Sequence, residues 1–158
     1  TVLIAVCSDA HGAKARMDAM LDALPTIQAL CFLGDMDRDA EYLDWGLREK
    51  QPQAALYAVA GNNDPLSQRA RSIELVFENT PVFITHGHLY SSIRSSRHGL
   101  ASAMVSRQAR LVLYGHTHIQ QDETINGIRL INPGTLMRGE WALLCFEDGT
   151  VTVTMRTV

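Results

Sequence analysis

The first half of the chain is punctuated by apolar runs too short to be helices, each ending at a polar or glycine-containing turn. Val2–Cys7 stops at Ser8, residues 29–33 stop at Gly34, and residues 55–60 stop at Gly61. Unbroken apolar character over so few residues fits strands covered on both faces. Between them, residues 15–24 place Met17, Met20, Leu21 and Leu24 at helical spacing with Pro25 as the stop, and residues 40–48 predict a second helix. Strand, helix, strand, helix, strand implies parallel pairing through right-handed crossovers.

The second half changes character. Residues 73–77, 82–85, 111–114, 121–125, 128–131, 142–146 and 151–155 are all strand-like, and the dipeptides Asn126-Gly127 and Asp148-Gly149 favour tight hairpins. Only residues 97–108 offer a further helix. The pattern predicts an α/β fold of two mixed sheets packed face to face with helices outside. The 158 residues suffice for one core, so a single domain over 1–158 is expected.

Composition narrows the function classes. A net charge of -3 argues against an extended nucleic-acid surface, which needs a basic face. No apolar run approaches the roughly 20 residues of a membrane helix, and no basic segment precedes an apolar one at the start, so neither a membrane span nor a signal peptide is expected. Cys7, Cys31 and Cys145 sit inside apolar runs without CxxC spacing and read as buried thiols of a reducing compartment, with the cytoplasm as the expected location. Pairing of two chains into a homodimer remains compatible with all of this.

The polar residues are concentrated where the strands end. Asp9 and His11 follow the first, Gly34 and Asp35 the second, and Gly61, Asn62, Asn63 and Asp64 the third. His86, Gly87 and His88 follow a later strand, and Gly115, His116, Thr117 and His118 another. Ligands of open α/β sheets bind at the carboxyl ends of parallel strands, so these turns can converge on one point. Side chains two apart, as in Asp9 and His11 or His116 and His118, point the same way if extended. The glycines permit sharp turns and close approach to a bound ion or phosphate. Imidazole, carboxylate and amide oxygen without thiolate suit divalent manganese, iron, nickel or zinc and exclude an iron–sulfur cluster.

The ordered set DxH, GD, GNxD, HGH and GHTH over residues 9 to 118, with an Asn-Pro-Gly turn at 132 to 134, resembles the calcineurin-like metallophosphoesterases, especially their small stand-alone prokaryotic phosphodiesterase branch. The resemblance implies a four-layer αββα sandwich. It also implies one metal ion held by Asp9, His11, Asp35 and His118 and a second by Asp35, Asn62, His86 and His116, with Asp35 bridging. Two divalent ions bring four positive charges against two from Asp9 and Asp35. The surplus would draw in a small phosphate ester, most naturally a diester, and bring a bridging hydroxide within reach at neutral pH for in-line attack. Manganese is the first expectation for the metal, with nickel, iron or zinc as alternatives.

Three residues are candidates for the chemistry around the phosphate. Asn63 departs from the resemblance, because relatives commonly carry His or Cys there and an amide cannot protonate a leaving oxygen. His88 is therefore expected to take that part or to hydrogen-bond the phosphate, with a purely structural turn histidine as the equal alternative. Asp64 is expected to support its loop or to orient a ligand histidine. Arg94 and Arg97 could grip an anion, although a solvated surface pair is the plainer expectation, as it is for His98. Two other classes compete: a protein-binding scaffold of the same fold, as in the retromer subunit, and a structural protein with a single metal ion.

Overall fold

The structure, a computed structural model, describes residues 1–90 and 97–158. Strands β1 (Val2–Cys7), β2 (Ala29–Phe32) and β3 (Ala55–Ala58) lie parallel, with α1 (Lys14–Ala23) and α2 (Asp37–Lys50) between them in the chain. These are the strand–helix alternations that the first half of the sequence predicts. At the far end of the chain, β9 (Glu140–Glu147) adds antiparallel to β1, and β10 (Thr150–Thr157) adds antiparallel to β9. The first sheet thus runs β10-β9-β1-β2-β3.

The second sheet contains β4 (Ser72–Phe77), β5 (Thr80–Thr85), β6 (Leu111–Leu113), β7 (Gln120–Ile125) and β8 (Ile128–Pro133), in the order β4-β5-β6-β8-β7. Its middle three strands are parallel and its two edges antiparallel. Two mixed sheets are therefore present, as expected. The Asn126-Gly127 and Asp148-Gly149 hairpins adopt paired left-handed backbones. A third turn of this kind, Glu78-Asn79, joins β4 to β5. It carries no glycine and so gave no signal.

Burial sorts the side chains into layers. Ile4, Val6 and Cys31 of the first sheet meet Val82, Ile84, Leu113 and Ile131 of the second. On the other face of the first sheet, Cys7, Leu30 and Phe32 pack under Met17, Met20, Leu43 and Leu47 of α1 and α2. On the outer face of the second, Phe83, Val112 and Leu130 pack under Leu100 and Met104. The result is the αββα order, with a thin outer layer over the second sheet.

That thin layer corrects one expectation. The predicted helix over 97–108 shrinks to α3 (His98–Ser102). Beyond it the backbone tightens into three-residue turns, with Met104 N–H donating to Ala101, Val105 to Ser102 and Arg107 to Met104. Leu100, Ala101 and Met104 are buried but Val105 is 80% exposed, so packing rewards little more than one helical turn here. In contrast α2 is longer than predicted, starting at Asp37. Asp37 and Asp39 sit in its first turn and Arg48 and Lys50 in its last, the charge order that suits the helix dipole.

No helix among the described residues is long and apolar enough to cross a membrane. All three cysteines are free; Cys7 and Cys31 are buried, whereas Cys145 is only half-buried, which corrects the expectation for that residue. Burial pushes the Cys31 thiol up to about 12 and Cys7 well above the usual thiol range, with Cys31, Asp39 and Asp9 adding to the effect on Cys7. Both thiols keep their protons in the folded state where an unfolded thiol, at its ordinary 9.0, has lost them. The folded state binds more protons in that window, so stability is full below pH 9 and falls as pH rises from 9 towards 12. Alkaline denaturation curves are expected to show this fall, and Cys31→Ala should flatten it. In a thiol-reagent assay at pH 8, Cys7 and Cys31 should stay unmodified until the protein is denatured.

Candidate metal centre

The strands β1, β2, β3, β5 and β6 release their loops at one edge of the two sheets, and backbone hydrogen bonds tie the loops together. Asp9 N–H donates to the Gly34 carbonyl at 2.8 Å, and Gly115 N–H to the His86 carbonyl at 3.0 Å. The Asn-Pro-Gly turn at the end of β8 braces the last loop: Asn132 donates from its amide to the Gly115 carbonyl at 3.1 Å and to Thr117 Oγ1 at 2.9 Å. Thr135 Oγ1 donates to the Asp9 carbonyl at 2.8 Å, so the first loop is pinned as well. Asn132 and Thr135 are fully buried, and the residue pattern shows only the turn, not this bracing.

All seven side chains proposed as ligands meet at this edge. Asp9 Oδ1 lies 3.2 Å from His118 Nε2, 3.6 Å from His11 Nε2 and 3.8 Å from His86 Nε2. His86 Nε2 lies 3.7 Å from Asp35 Oδ2 and 2.9 Å from Asn62 Oδ1, which is also 3.1 Å from His116 Nδ1. Two clusters have all their ligand atoms within 4.8 Å of one another: Asp9 with His11 and His118, and Asp9 with Asp35 and His86. Asp9 is common to both, while Asp35 falls in the second.

The donor set fits cations on physical grounds. Asp9 is fully buried and Asp35 is 2% exposed. Among the described residues neither pairs with Lys or Arg; the ion pairs recorded for them are with histidines. Two buried carboxylates so close demand compensation. The imidazoles cannot all supply protons. His86 Nδ1 sits 2.7 Å from the Leu33 carbonyl, which only accepts, so Nδ1 carries a proton and the lone pair for a metal ion is the one at Nε2. That lone pair faces the Asn62 oxygen, another acceptor. His11 Nε2 is buried and has no hydrogen-bond partner. A surplus of inward-facing acceptors is what a divalent cation satisfies.

Residues 2–148 match the calcineurin-like phosphoesterase superfamily domain. The chain belongs to that superfamily. It is 31% identical over 140 residues to a probable metallophosphoesterase of Mycoplasma pneumoniae, covering 84% of this chain and 78% of that protein. A structure described as a novel archaeal phosphodiesterase superposes with a TM-score of 0.74 at 20% identity, covering 98% of this chain and all (100%) of the other. Zinc-bound Vps29 of Entamoeba histolytica superposes with a TM-score of 0.71 at 18% identity, covering 99% of each. The fold is therefore shared between both kinds of protein.

The calcineurin-like loops reach this arrangement differently from the extended geometry that the DxH and HTH spacing suggests. Asp9, His11, His116 and His118 all have left-handed backbones, with φ of 54°, 46°, 70° and 66°. Such conformations cost roughly 1 kcal/mol or more each for non-glycine residues and persist where the surroundings over-determine them. Two glycines serve the ligand carboxylates rather than a bound ion. A Cβ at Gly61 would fall 2.0 Å from Asp35 Oδ1, and one at Gly115 would fall 2.2 Å from Ser8 Oγ and 2.8 Å from Asp9 Oδ2.

The remaining candidates separate by contact. Asn63 donates from its backbone N–H to Asp35 Oδ1 at 2.9 Å and from its amide to Asp35 Oδ2 at 2.8 Å. Asp64 accepts from the backbone N–H groups of Met36, Asp37 and Gly61, at 2.9, 3.0 and 2.9 Å. Of the two expectations for Asp64, loop support is the one its contacts match. Ser8, which gave no signal in the sequence, donates its hydroxyl to Asp9 Oδ2. His88 lies beside the centre, its ring 5.4 Å from that of His86 and 6.4 Å from that of His116. Burial, with His86 and Arg71 adding, holds its pKa below the usual imidazole value. Arg97 is forked onto Glu123, at 2.5 and 3.3 Å, as a partly buried ion pair, so it is neither solvated at the surface nor free to grip an anion; His98 is exposed, and Arg94 lies outside the described residues.

Gly61→Ala is expected to displace Asp35 and weaken divalent-metal binding by about 10- to 100-fold, the range for residues that position ligands. Gly127→Ala, at φ 78° in a hairpin with open space around it, should instead lower stability by about 1 kcal/mol and leave metal affinity unchanged. Metal titration calorimetry and thermal unfolding of the two variants separate these effects.

Proposed function

We propose that the chain is a phosphodiesterase acting on a small phosphate ester, with one divalent ion held by Asp9, His11, Asp35 and His118 and another by Asp35, Asn62, His86 and His116. The observation that carries this reading is the pair of buried carboxylates among imidazoles, without a Lys or Arg to neutralise them among the described residues. When bound, such ions would supply Lewis acidity towards phosphoryl oxygens and a water whose pKa is lowered towards neutrality. The donor set, which lacks thiolate, suits manganese first and nickel, iron or zinc next.

The chain's own residues prepare the site. Ser8 and the His116 N–H occupy Asp9 Oδ2, the latter at 3.1 Å, and leave Oδ1 towards the imidazoles. The Leu33 carbonyl sets the His86 tautomer, and Asn63 holds both oxygens of Asp35. Among the described residues next to the ligands, Ser8 is committed to Asp9, and the Cys7 and Cys31 thiols are buried and hold their protons. Water is thus the natural attacking group. A cavity of about 470 Å³ borders the loops, lined in part by Gly12 and Met36, the residues that follow His11 and Asp35. The preference for a diester over a monoester rests on the likeness to the archaeal phosphodiesterase.

Protein stripped with chelator and reloaded with manganese should bind two ions per chain and hydrolyse bis(4-nitrophenyl) phosphate faster than 4-nitrophenyl phosphate. Asp9→Asn should reduce that rate by about 100-fold or more, beyond what loss of a ligand-supporting group causes. The Vps29 likeness supports a scaffold as the second reading, and two bound ions with no hydrolysis of either ester would select it. One ion per chain without turnover would select a structural site.

A further inference from the structure

Several arginines surround the loops, and most are neutralised by carboxylates. Arg69 pairs with Asp37, Arg97 with Glu123, and Arg138 with Glu140. Arg71 is different. Its Nη1 lies 3.4 Å from His88 Nε2, and it contacts no carboxylate among the described residues. Its backbone is nonetheless held against two of the ligand loops. The carbonyl of Ala70 accepts from Ala60 N–H at 2.9 Å, immediately before Gly61 and Asn62. The carbonyl of Arg71 accepts from Thr85 Oγ1 at 3.1 Å, immediately before His86. The guanidinium is exposed, one imidazole ring away from His86 and His116.

A guanidinium only donates, so in this contact His88 Nε2 accepts. That leaves most of the Arg71 N–H groups open to solvent at the edge of the centre. Nothing in the sequence pattern connects the two residues, which are 17 apart in the chain.

We propose that Arg71 is the residue that grips the anionic phosphate of the substrate, and that His88 positions its guanidinium. The inference rests on the phosphoesterase reading above. The ligand class is a phosphate anion, free or as a diester, presenting two non-bridging oxygens to a planar fork of donors. His88 acts through Arg71 and not by giving a proton to the leaving oxygen. Asn63 gives its backbone N–H and one amide N–H to Asp35, so its contacts hold that carboxylate in place.

The test uses the manganese-loaded chain and its variants Arg71→Gln, Arg71→Lys, His88→Ala and the double variant Arg71→Gln/His88→Ala, with Arg107→Gln as a remote control. Arg107 pairs with Glu74 at 2.6 Å on the second sheet. Binding of inorganic phosphate is measured by calorimetry, and KM and kcat with bis(4-nitrophenyl) phosphate. Arg71→Gln should weaken phosphate binding and raise KM by about tenfold, as expected for loss of a charge-assisted pair. The change in kcat should be much smaller and the metal content the same. Arg71→Lys should recover part of the loss, His88→Ala should reproduce it more weakly, and the double variant should match Arg71→Gln alone. Phosphate affinity unchanged in Arg71→Gln, or equally reduced in Arg107→Gln, overturns the proposal. Additive losses in the double variant overturn the positioning role of His88. Because phosphate binding needs no turnover, a wild-type chain that binds phosphate through Arg71 but hydrolyses no ester would sink the phosphodiesterase reading alone. Normal hydrolysis with an indifferent Arg71→Gln would sink this inference alone, and a wild-type chain that neither binds phosphate nor turns over overturns both.

Discussion

Two carboxylates buried side by side, with imidazoles and, among the described residues, no Lys or Arg for neighbours, form the constraint around which the loops are organised. Water cannot screen Asp9, which is fully buried, and it shares its space with the Asp35 carboxylate and the imidazoles of His11, His86 and His118. The protein offsets part of this with fixed donors placed behind the carboxylates: the Ser8 hydroxyl and the His116 N–H on Asp9, and both donors of Asn63 on Asp35. Those donors orient the oxygens but do not neutralise them, and the remaining charge is directed to one shared space. A fold selected for stability alone would more plausibly bury apolar residues at this edge.

The mixed sheets explain how such an arrangement is held without unfolding the loops. Parallel strands in both sheets point their carboxyl ends the same way, so ligands far apart in sequence arrive at one edge. Packing between the sheets is then extensive directly beneath the centre, where Val6, Cys31 and Ile84 lie close to the strand ends and are all buried. That rigid floor bears the strain of the left-handed residues Asp9, His11, His116 and His118. Asp64 contributes in the same sense: one carboxylate gathers N–H groups from the Gly34-Asp35 loop and from its own turn, and makes the two loops move as one.

Much of this was legible in the sequence, for a physical reason. Buried strands leave unbroken apolar runs, and the turns that carry ligands need glycine beside Asp, Asn or His, so both the scaffold and the ligand residues announce themselves locally. Contacts between segments do not. The tail hairpin of β9 and β10 could have extended either sheet by pattern alone; its return to β1 is decided by packing of Ala142, Leu144 and Phe146 in the inter-sheet core. Likewise the motifs named the ligands without showing that Asp9 stands between two clusters. The turn at Glu78-Asn79 was silent because neither residue is glycine, and the short α3 was overestimated because helical spacing in residues 97–108 was not matched by a partner surface.

The distribution of charge around the centre follows from the same accounting. Outside the ligands, Asp37, Glu123 and Glu140 each hold an arginine near the loops, so their negative charge is not added to that of Asp9 and Asp35. The net charge of the chain is -3, and an anionic ester approaching it meets a repulsive molecule at long range. Under the proposed function only a local cationic feature reverses that, and a loaded centre whose metal charge exceeded its two carboxylates would be one source. The Arg71 guanidinium, which meets no carboxylate among the described residues, is the other. Its value to a substrate depends on its not being paired with a carboxylate, which makes a neutral partner such as His88 the suitable one: an imidazole nitrogen accepts one N–H and fixes the direction of the fork, while leaving its full charge for the phosphate.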